Sequence, residues 1–392
     1  MTRNSHIARR LGALCIAGFA ITSMLAACSS SGSSPSSGTG QASASGAGSA
    51  TANTEVAAAQ KYVAQVTAVP TAMPETQPLK TTPAQGKTIV YLECNVVQCA
   101  TYGTGLDAAA KLLGWSVKTL QFSADDPATL VTAMKQALQI QPKPVAVAFS
   151  TFQQQFWQQM IPAYQKAGIV LVPAGVGPVT LDPPALPAAL FTVQQFSVEA
   201  KAVANWFIAD SKAQGHALIV DIPALQQLKA WTDSAIATIS AGCKACTTSV
   251  LNANLQQMTA GTIGQAVVSY VQSHPDIKYI LSSYGTPMDN IPTLLNAAGL
   301  SDVQFAGGGG DVTNLTYVKT QGKGAFIGEN SQYTGWLMVD AAARYSEGMS
   351  FPSDYGLLPY QLMVPGNVGT PAPDQTIPPG YQSIFAKLWK VQ

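Results

Sequence analysis

From residue 88 onward, short runs that are apolar throughout alternate with longer stretches of helical periodicity. Residues 88–92, 117–122, 145–150 and 169–172 read as strands, with helices over 103–113, 127–138 and 153–167 between them. Ser123-Ala124-Asp125-Asp126 supplies the start signal of the second helix. A strand apolar on both faces has no solvent side, so these runs belong to a parallel sheet covered by helices. The alternation then begins again: strand 191–193, helix 198–211, strand 217–221, helix 228–240, strand 248–252, helix 263–273, strand 279–282, helix 288–298 and strand 303–306. No close internal sequence repeat accompanies this second unit. The expected class is α/β, with two doubly wound, Rossmann-like lobes. Open parallel sheets take ligands at the carboxyl ends of their strands, so two of them facing each other make a hinged cleft.

The amino-terminal pattern is of another kind. Arg3, Arg9 and Arg10 precede an apolar stretch, residues 11–24, too short to span a membrane as an ordinary helix, and Leu25-Ala26-Ala27-Cys28 follows. The order of charge, apolar core, small residues and cysteine resembles the bacterial lipobox. It implies a signal peptide over 1–27, lipidation of Cys28, and anchoring to the outer face of the cytoplasmic membrane. Residues 29–50 are almost entirely Ser, Gly and Ala, with too little apolar surface to offset the entropy of ordering, so 28–55 is expected to be a disordered tether.

Composition narrows the partners. The chain is 47% hydrophobic and only 10% charged, with a formal net charge of +1, so nothing suggests nucleic acid or a second, polybasic membrane contact. With Cys15 in the signal peptide and Cys28 lipidated, Cys94, Cys99, Cys243 and Cys246 remain, an even number for an oxidising compartment. Three pairings are open. Cys94–Cys99 and Cys243–Cys246 are expected, because each pair sits within one loop. The alternative for Cys243-Lys244-Ala245-Cys246 is a redox or metal site, but the motif follows a helix instead of opening one, and no histidine adjoins it. His6, His216 and His274 read as structural, and no GxSxG, HExxH or P-loop lysine occurs. The glycine run 307–310 lacks phosphate-loop spacing and suits a tight turn or close backbone approach. No catalytic residue, metal ligand or cofactor is expected.

The residues Lys87-Thr88-Ile89-Val90-Tyr91, Gly105, the segment 279–283, Ala298-Gly299, the segment 305–311, Gly322, the segment 324–329 and Gly335 occur in an order and spacing that resembles the type 1 periplasmic binding proteins, the ribose-binding or sugar ABC-importer family. The resemblance covers about 87–366. It implies three chain crossings, near Gln194, Glu329 and Val364-Pro365. One lobe would then hold 87–193 plus 330–364, and the other 195–329 plus 365–392. Carried over position by position, it implies ligand contacts from Asn95, Gln98, Tyr102, Phe152, Gln194, Lys229, Trp231, Tyr284, Asp311 and Glu329. Their aromatic rings and amides suit a small neutral polar ligand. Two departures stand out: Pro173-Ala174-Gly175-Val176 replaces a common Asp-Arg pair, and Tyr284-Gly285 replaces a common Asn-Asp. Both remove hydroxyl-clamping groups, so a less polar or more aromatic ligand competes with a simple sugar. The function implied is a monomeric substrate-binding lipoprotein serving an ABC permease. A sensor feeding a membrane kinase is the alternative, and a surface hydrolase on an unrelated α/β fold the remote one.

Overall fold

The apolar runs that lack a solvent face become the central strands of two largely parallel sheets. The computed structural model describes residues 44–352, 354–372 and 375–391. The expected signal peptide, its cleavage point and Cys28 lie outside these residues. Helix α1 (Ala44–Val66) comes first, and the first lobe follows as β1 (Thr88–Cys94), α2 (Val97–Leu112), β2 (Ser116–Phe122), α3 (Pro127–Ala137), β3 (Ala146–Ser150), α4 (Ile161–Ala167) and β4 (Val170–Ala174). Its sheet has the order β2-β1-β3-β4, all parallel. The second lobe comprises α5 (Val193–Asp210), β5 (His216–Asp221), α6 (Gln226–Gly242), β6 (Thr247–Asn252), α7 (Leu255–Thr259), α8 (Ile263–Ser273), β7 (Tyr279–Ser282), α9 (Ile291–Ala297), β8 (Gln304–Gly307), α10 (Val312–Gln321) and β9 (Ala325–Glu329). Helix α11 (Ser331–Ser346) returns to the first lobe, and β10 (Tyr360–Met363) and α12 (Tyr381–Leu388) complete the chain.

Local departures from the periodicity have local causes. Helix α2 starts six residues before the expected 103, since its first residue, Val97, is 77% exposed and adds nothing to the core-facing stripe. The stretch 153–160 forms two 3-10 turns, and α4 begins only at Ile161 with a proline in its first turn. The strand expected at 191–193 is absent. Phe191 has φ 48°, outside the extended region, and α5 already begins at Val193.

Two expected boundaries are corrected. The tether was expected to run to 55, but α1 already holds residues 44–55 in a helix. Alanine is the best helix former, and the far end of α1 is docked. Ala59 is buried, Val56, Tyr62, Val63 and Val66 pack on the core, and Lys201 Nζ lies 5.0 Å from the Tyr62 ring centroid. The carboxyl-terminal lobe assignment also changes. β10 lies in the second lobe, antiparallel to β9, at the edge of the sheet β10-β9-β8-β7-β5-β6. α12 lies on the first, where Trp336 stacks on Trp389 with centroids 5.4 Å apart and Phe385 packs between Tyr333 and Trp389. Burying that aromatic cluster favours the reversal of partners.

A polar network fixes the same corner. Fully buried Asp340 accepts from Arg344 Nε at 2.5 Å, Tyr355 Oη at 2.8 Å and Trp389 Nε1 at 2.7 Å. Beside it, Tyr333 is hydrogen-bonded to Glu75, whose carboxyl is pushed up to about 7, chiefly by burial. The segment 67–80 therefore straps the molecule. Thr67 O accepts from Gln361 and Asn367 of the second lobe, and Leu79 N donates to Leu388 O on the first.

Helices α2 and α11 pack without side chains at their crossing. A methyl on Gly105 would lie 2.0 Å from Gln332 O, and one on Gly335 would lie 2.2 Å from Tyr102 O. Both obstacles are backbone, so the helices themselves must separate. Gly105→Ala is expected to cost about 3 kcal/mol, read as a lower denaturation midpoint at unchanged slope. A loss under about 0.5 kcal/mol would show that the crossing is looser than described.

Candidate functional site

The carboxyl ends of the two sheets face one cleft. The loop after β1 brings Val96, and the first turn of α2 brings Gln98; a bond between Cys94 and Cys99, with Cα atoms 5.5 Å apart, bends the chain back here. Tyr102 follows on the buried face of α2. The end of β3 adds Ser150 and Thr151, and the end of β4 adds Gly175. Opposite stand Leu225, Gln227 and Leu228 after β5, Met258 on α7, Ser283 and Tyr284 after β7, and Gly309 after β8. The floor is the hinge: Phe191, Phe196, Glu199 and Glu329. Phe191 and Phe196 stack at 4.7 Å with planes 11° apart.

The lobes touch around the cleft, so the conformation is closed. Gln153 Nε2 donates across the gap to Ala224 O at 2.7 Å. Gln227 Nε2, from the second lobe, donates to Thr151 O at 3.4 Å and Gly175 O at 3.3 Å, both in the first. Thr151 holds φ 88° and Phe191 φ 48°, conformations that cost about 1–3 kcal/mol each and persist only where surrounding contacts enforce them. Here the enforcement is visible. Phe191 N donates to Gly356 O at 2.8 Å, and the ring lies on Phe196.

Hydrogen bonds at the hinge tie three of the crossings together. Gln195 Oε1 accepts from Leu358 N at 2.9 Å, and its Nε2 donates to Glu199 Oε1 at 2.8 Å. The Glu199 carboxyl is in turn hydrogen-bonded to that of Glu329. Burial first, and then the adjacent Glu329, hold Glu199 well above the usual carboxylate range. Two carboxyls in contact disfavour the doubly charged state, so the pair titrates as a unit with a proton held between the two groups more firmly than by either alone. Tyr102, wholly buried, is raised by desolvation and by its proximity to Glu329 and Tyr284, and its hydroxyl meets Gln98. Gln98 Nε2 also donates to Ser331 Oγ at 2.5 Å.

Of the ten expected contact residues, Gln98, Tyr102, Tyr284 and Glu329 line this cleft. Six stand elsewhere. Asn95 is exposed, and its Oδ1 accepts from Ala124 N at 2.8 Å, bracing the wall from behind. Phe152 is buried in the first-lobe core beside Phe122 and Phe156. Gln194 points to solvent, and the inward glutamine of the crossing is its neighbour Gln195. Lys229 is exposed and ion-paired with Asp233 at 2.7 Å. Trp231 is fully buried within the second lobe. Asp311 caps α10, accepting from Thr313 N at 2.9 Å and Asn314 N at 3.1 Å. The site residues not foreseen include Phe191, Phe196, Glu199, Gln227 and Ser283. Glu199 carried a readable signal, an acid among the apolar positions Phe196, Ala200 and Val203 of one helical face.

A cleft between two doubly wound lobes, floored by the hinge and closed from both sides, defines a two-lobed ligand-binding protein. The sequence matches the family described as periplasmic binding protein domain over residues 99–350, and the chain belongs to that family. No curated protein matches it. Solved structures share the fold. An ABC sugar transporter subunit from Rhodobacter sphaeroides 2.4.1 has 18% identity and TM-score 0.61, covering 72% of this chain and 99% of its own. A 5-methylthioribose transporter solute-binding protein from Thermotoga lettingae TMO, in complex with 5-methylthioribose, has 17% identity and TM-score 0.62, over 74% and 89%. An ABC transporter periplasmic solute-binding protein from Actinobacillus succinogenes 130z, with bound D-allose, has 16% identity and TM-score 0.60, over 71% and 98%.

The raised Glu199 makes a signed prediction. The folded state holds a proton that the unfolded chain releases near pH 4.5, so unliganded stability falls as pH rises above that value. Glu199→Gln keeps the shape and removes the titration. It is expected to raise the melting temperature at pH 8 relative to the parent, with the gap closing by pH 5. A constant gap at both pH values would mean that the carboxyl does not titrate as described.

Proposed function

We propose that this chain is the substrate-binding lipoprotein of an ABC importer, capturing a small sugar-like solute between its lobes and delivering it to a permease. The observation that carries this reading is the closed, hinge-floored cleft. Its walls pair aromatic faces with a few directed polar groups, as small-molecule sites do. Gln98, Tyr102, Tyr284 and Glu329, with Phe191, Phe196 and Gln227, are the proposed contacts. Family membership supports an extracytoplasmic location and a binding role rather than catalysis. The two local cysteine pairs fit an oxidising compartment. Lipid on Cys28 would keep a monomeric receptor beside its permease, and multiple acyl chains give an anchor that one chain does not.

The ligand is proposed to present more apolar or aromatic surface than a simple hexose. The missing Asp-Arg and Asn-Asp positions are filled by Ala174-Gly175 and by Tyr284-Gly285, and the stacked Phe191 and Phe196 offer an apolar plate. The 5-methylthioribose held by the Thermotoga lettingae protein, a sugar with an apolar arm, has that character.

Native mass spectrometry of protein isolated from its host is expected to show one co-purified small molecule, displaced on unfolding. Phe196→Ala is expected to weaken binding of that molecule about 10-fold or more, given the worth of one stacked aromatic. A Phe196→Ala variant that binds as tightly as the parent would remove the cleft from the reading. Placement is tested separately. Cys28→Ser should move the protein from the membrane fraction to the medium, and retention on the membrane would refute the lipid anchor.

A further inference from the structure

The cleft holds two buried carboxyls and a buried amide oxygen beside the hydroxyls of Ser150, Thr151 and Ser283, which can donate or accept. Gln227 is 4% exposed, and while its Nε2 donates to Thr151 O and Gly175 O, its Oε1 is buried without a partner among the described residues. At the hinge, Glu199 and Glu329 are 1% and 8% exposed and bonded to each other. No Lys, Arg or His is among the residues lining the cleft. Phe191, Phe196, Tyr102 and Tyr284 line the cleft beside aliphatic residues such as Leu225, Leu228 and Met258, and aromatic faces attract positive charge. A neutral polyol brings as many acceptors as donors. An ammonium brings three donors, no acceptor and the missing charge.

Resting on the receptor reading above, we propose that the cleft selects a hydroxylated small molecule carrying one ammonium group. The ammonium is held at the Glu199–Glu329 pair, with Gln227 Oε1 accepting a further N–H or O–H of the ligand. This departs from the neutral ligand expected from the sequence. The ammonium takes the place of the proton between the two carboxyls, so capture releases one proton and tightens as pH rises. The other titratable groups around the pair are Tyr102 from α2, Tyr284 after β7 and Tyr360 from β10. Tyr102 and Tyr360 are held above the ordinary tyrosine range by burial and stay neutral.

Calorimetric titration with two matched pairs tests this: glucamine against sorbitol, and tyramine against tyrosol, at pH 6, 7 and 8. Both amines stay charged throughout. At least one amine is expected to bind ten-fold or more tighter than its hydroxyl partner, and to gain up to about ten-fold per pH unit, the signature of one released proton. Glu199→Gln and Glu329→Gln, checked for retained circular dichroism, should abolish that preference. Equal or tighter binding by sorbitol or tyrosol, or an amine affinity independent of pH, overturns the inference and leaves the receptor reading standing. Binding by no member of either pair, together with no co-purified molecule in the native spectrum, overturns both.

Discussion

The constraint on which the molecule depends is the hydrogen-bonded series from Leu358 N through Gln195 and Glu199 to Glu329. Its members come from three separate chain passages between the lobes. Two buried carboxyls in contact are unfavourable when both are charged, so the pair keeps a proton and acts as a hydrogen-bonded unit. Its position makes it both hinge and floor. Whatever enters the cleft meets the groups that hold the crossings in register, which gives a physical route from occupancy to lobe closure.

Closure in turn is carried by weak, replaceable bonds. Gln153 and Gln227 reach across with amides, donating to backbone carbonyls of the opposing lobe. Neutral hydrogen bonds of this kind add about 1 kcal/mol net each. Three such bonds are enough to bias a hinge and too few to lock it. The strap 67–80 and the return of α12 to the first lobe add covalent connections beyond the crossings that carry the hinge series. They bury Glu75 against Tyr333 and Trp389 against Asp340, none of which lines the cleft. Rigidity is thereby concentrated in the first lobe and along the flank, while the cleft faces are joined by side chains alone.

Fold was more legible than site, for a reason that lies in the interactions themselves. A doubly covered parallel strand must be apolar on both faces, and that requirement is written locally, so β1, β3, β4, β5 and β7 could be read directly. The end of the chain could not. β10 joins the second sheet through backbone pairing with β9, and α12 joins the first lobe through Trp336 and Trp389. Both choices depend on partners distant in sequence. The site shows the same division. Tyr102 and Glu329 were reachable because the position of each, on the second turn of α2 and at the end of β9, is set by the element that carries it. Asn95, Lys229 and Asp311 sit at similar positions but are claimed by nearer partners: a backbone amide, an i,i+4 carboxylate and a helix terminus. A short polar side chain at the mouth of a loop reveals its chemistry but not which competitor captures it.

Replacing the usual sugar-clamping charges does more than make the cleft greasier. With Pro173-Ala174-Gly175-Val176 and Tyr284-Gly285 in their places, no lysine, arginine or histidine is among the described residues that line the cleft, and on the proposed reading the ligand or a proton supplies the positive charge beside the two acids. A proton is the cheaper occupant in isolation, because it needs no cavity. It offers the aromatic walls nothing, however, and leaves Gln227 Oε1 buried without a donor. An occupant that satisfies the acids, the amide and the stacked rings together gains from all three, and only such an occupant makes full use of the closed form. On the proposed reading, the acid pair that ties three crossings together also sets what the cleft accepts.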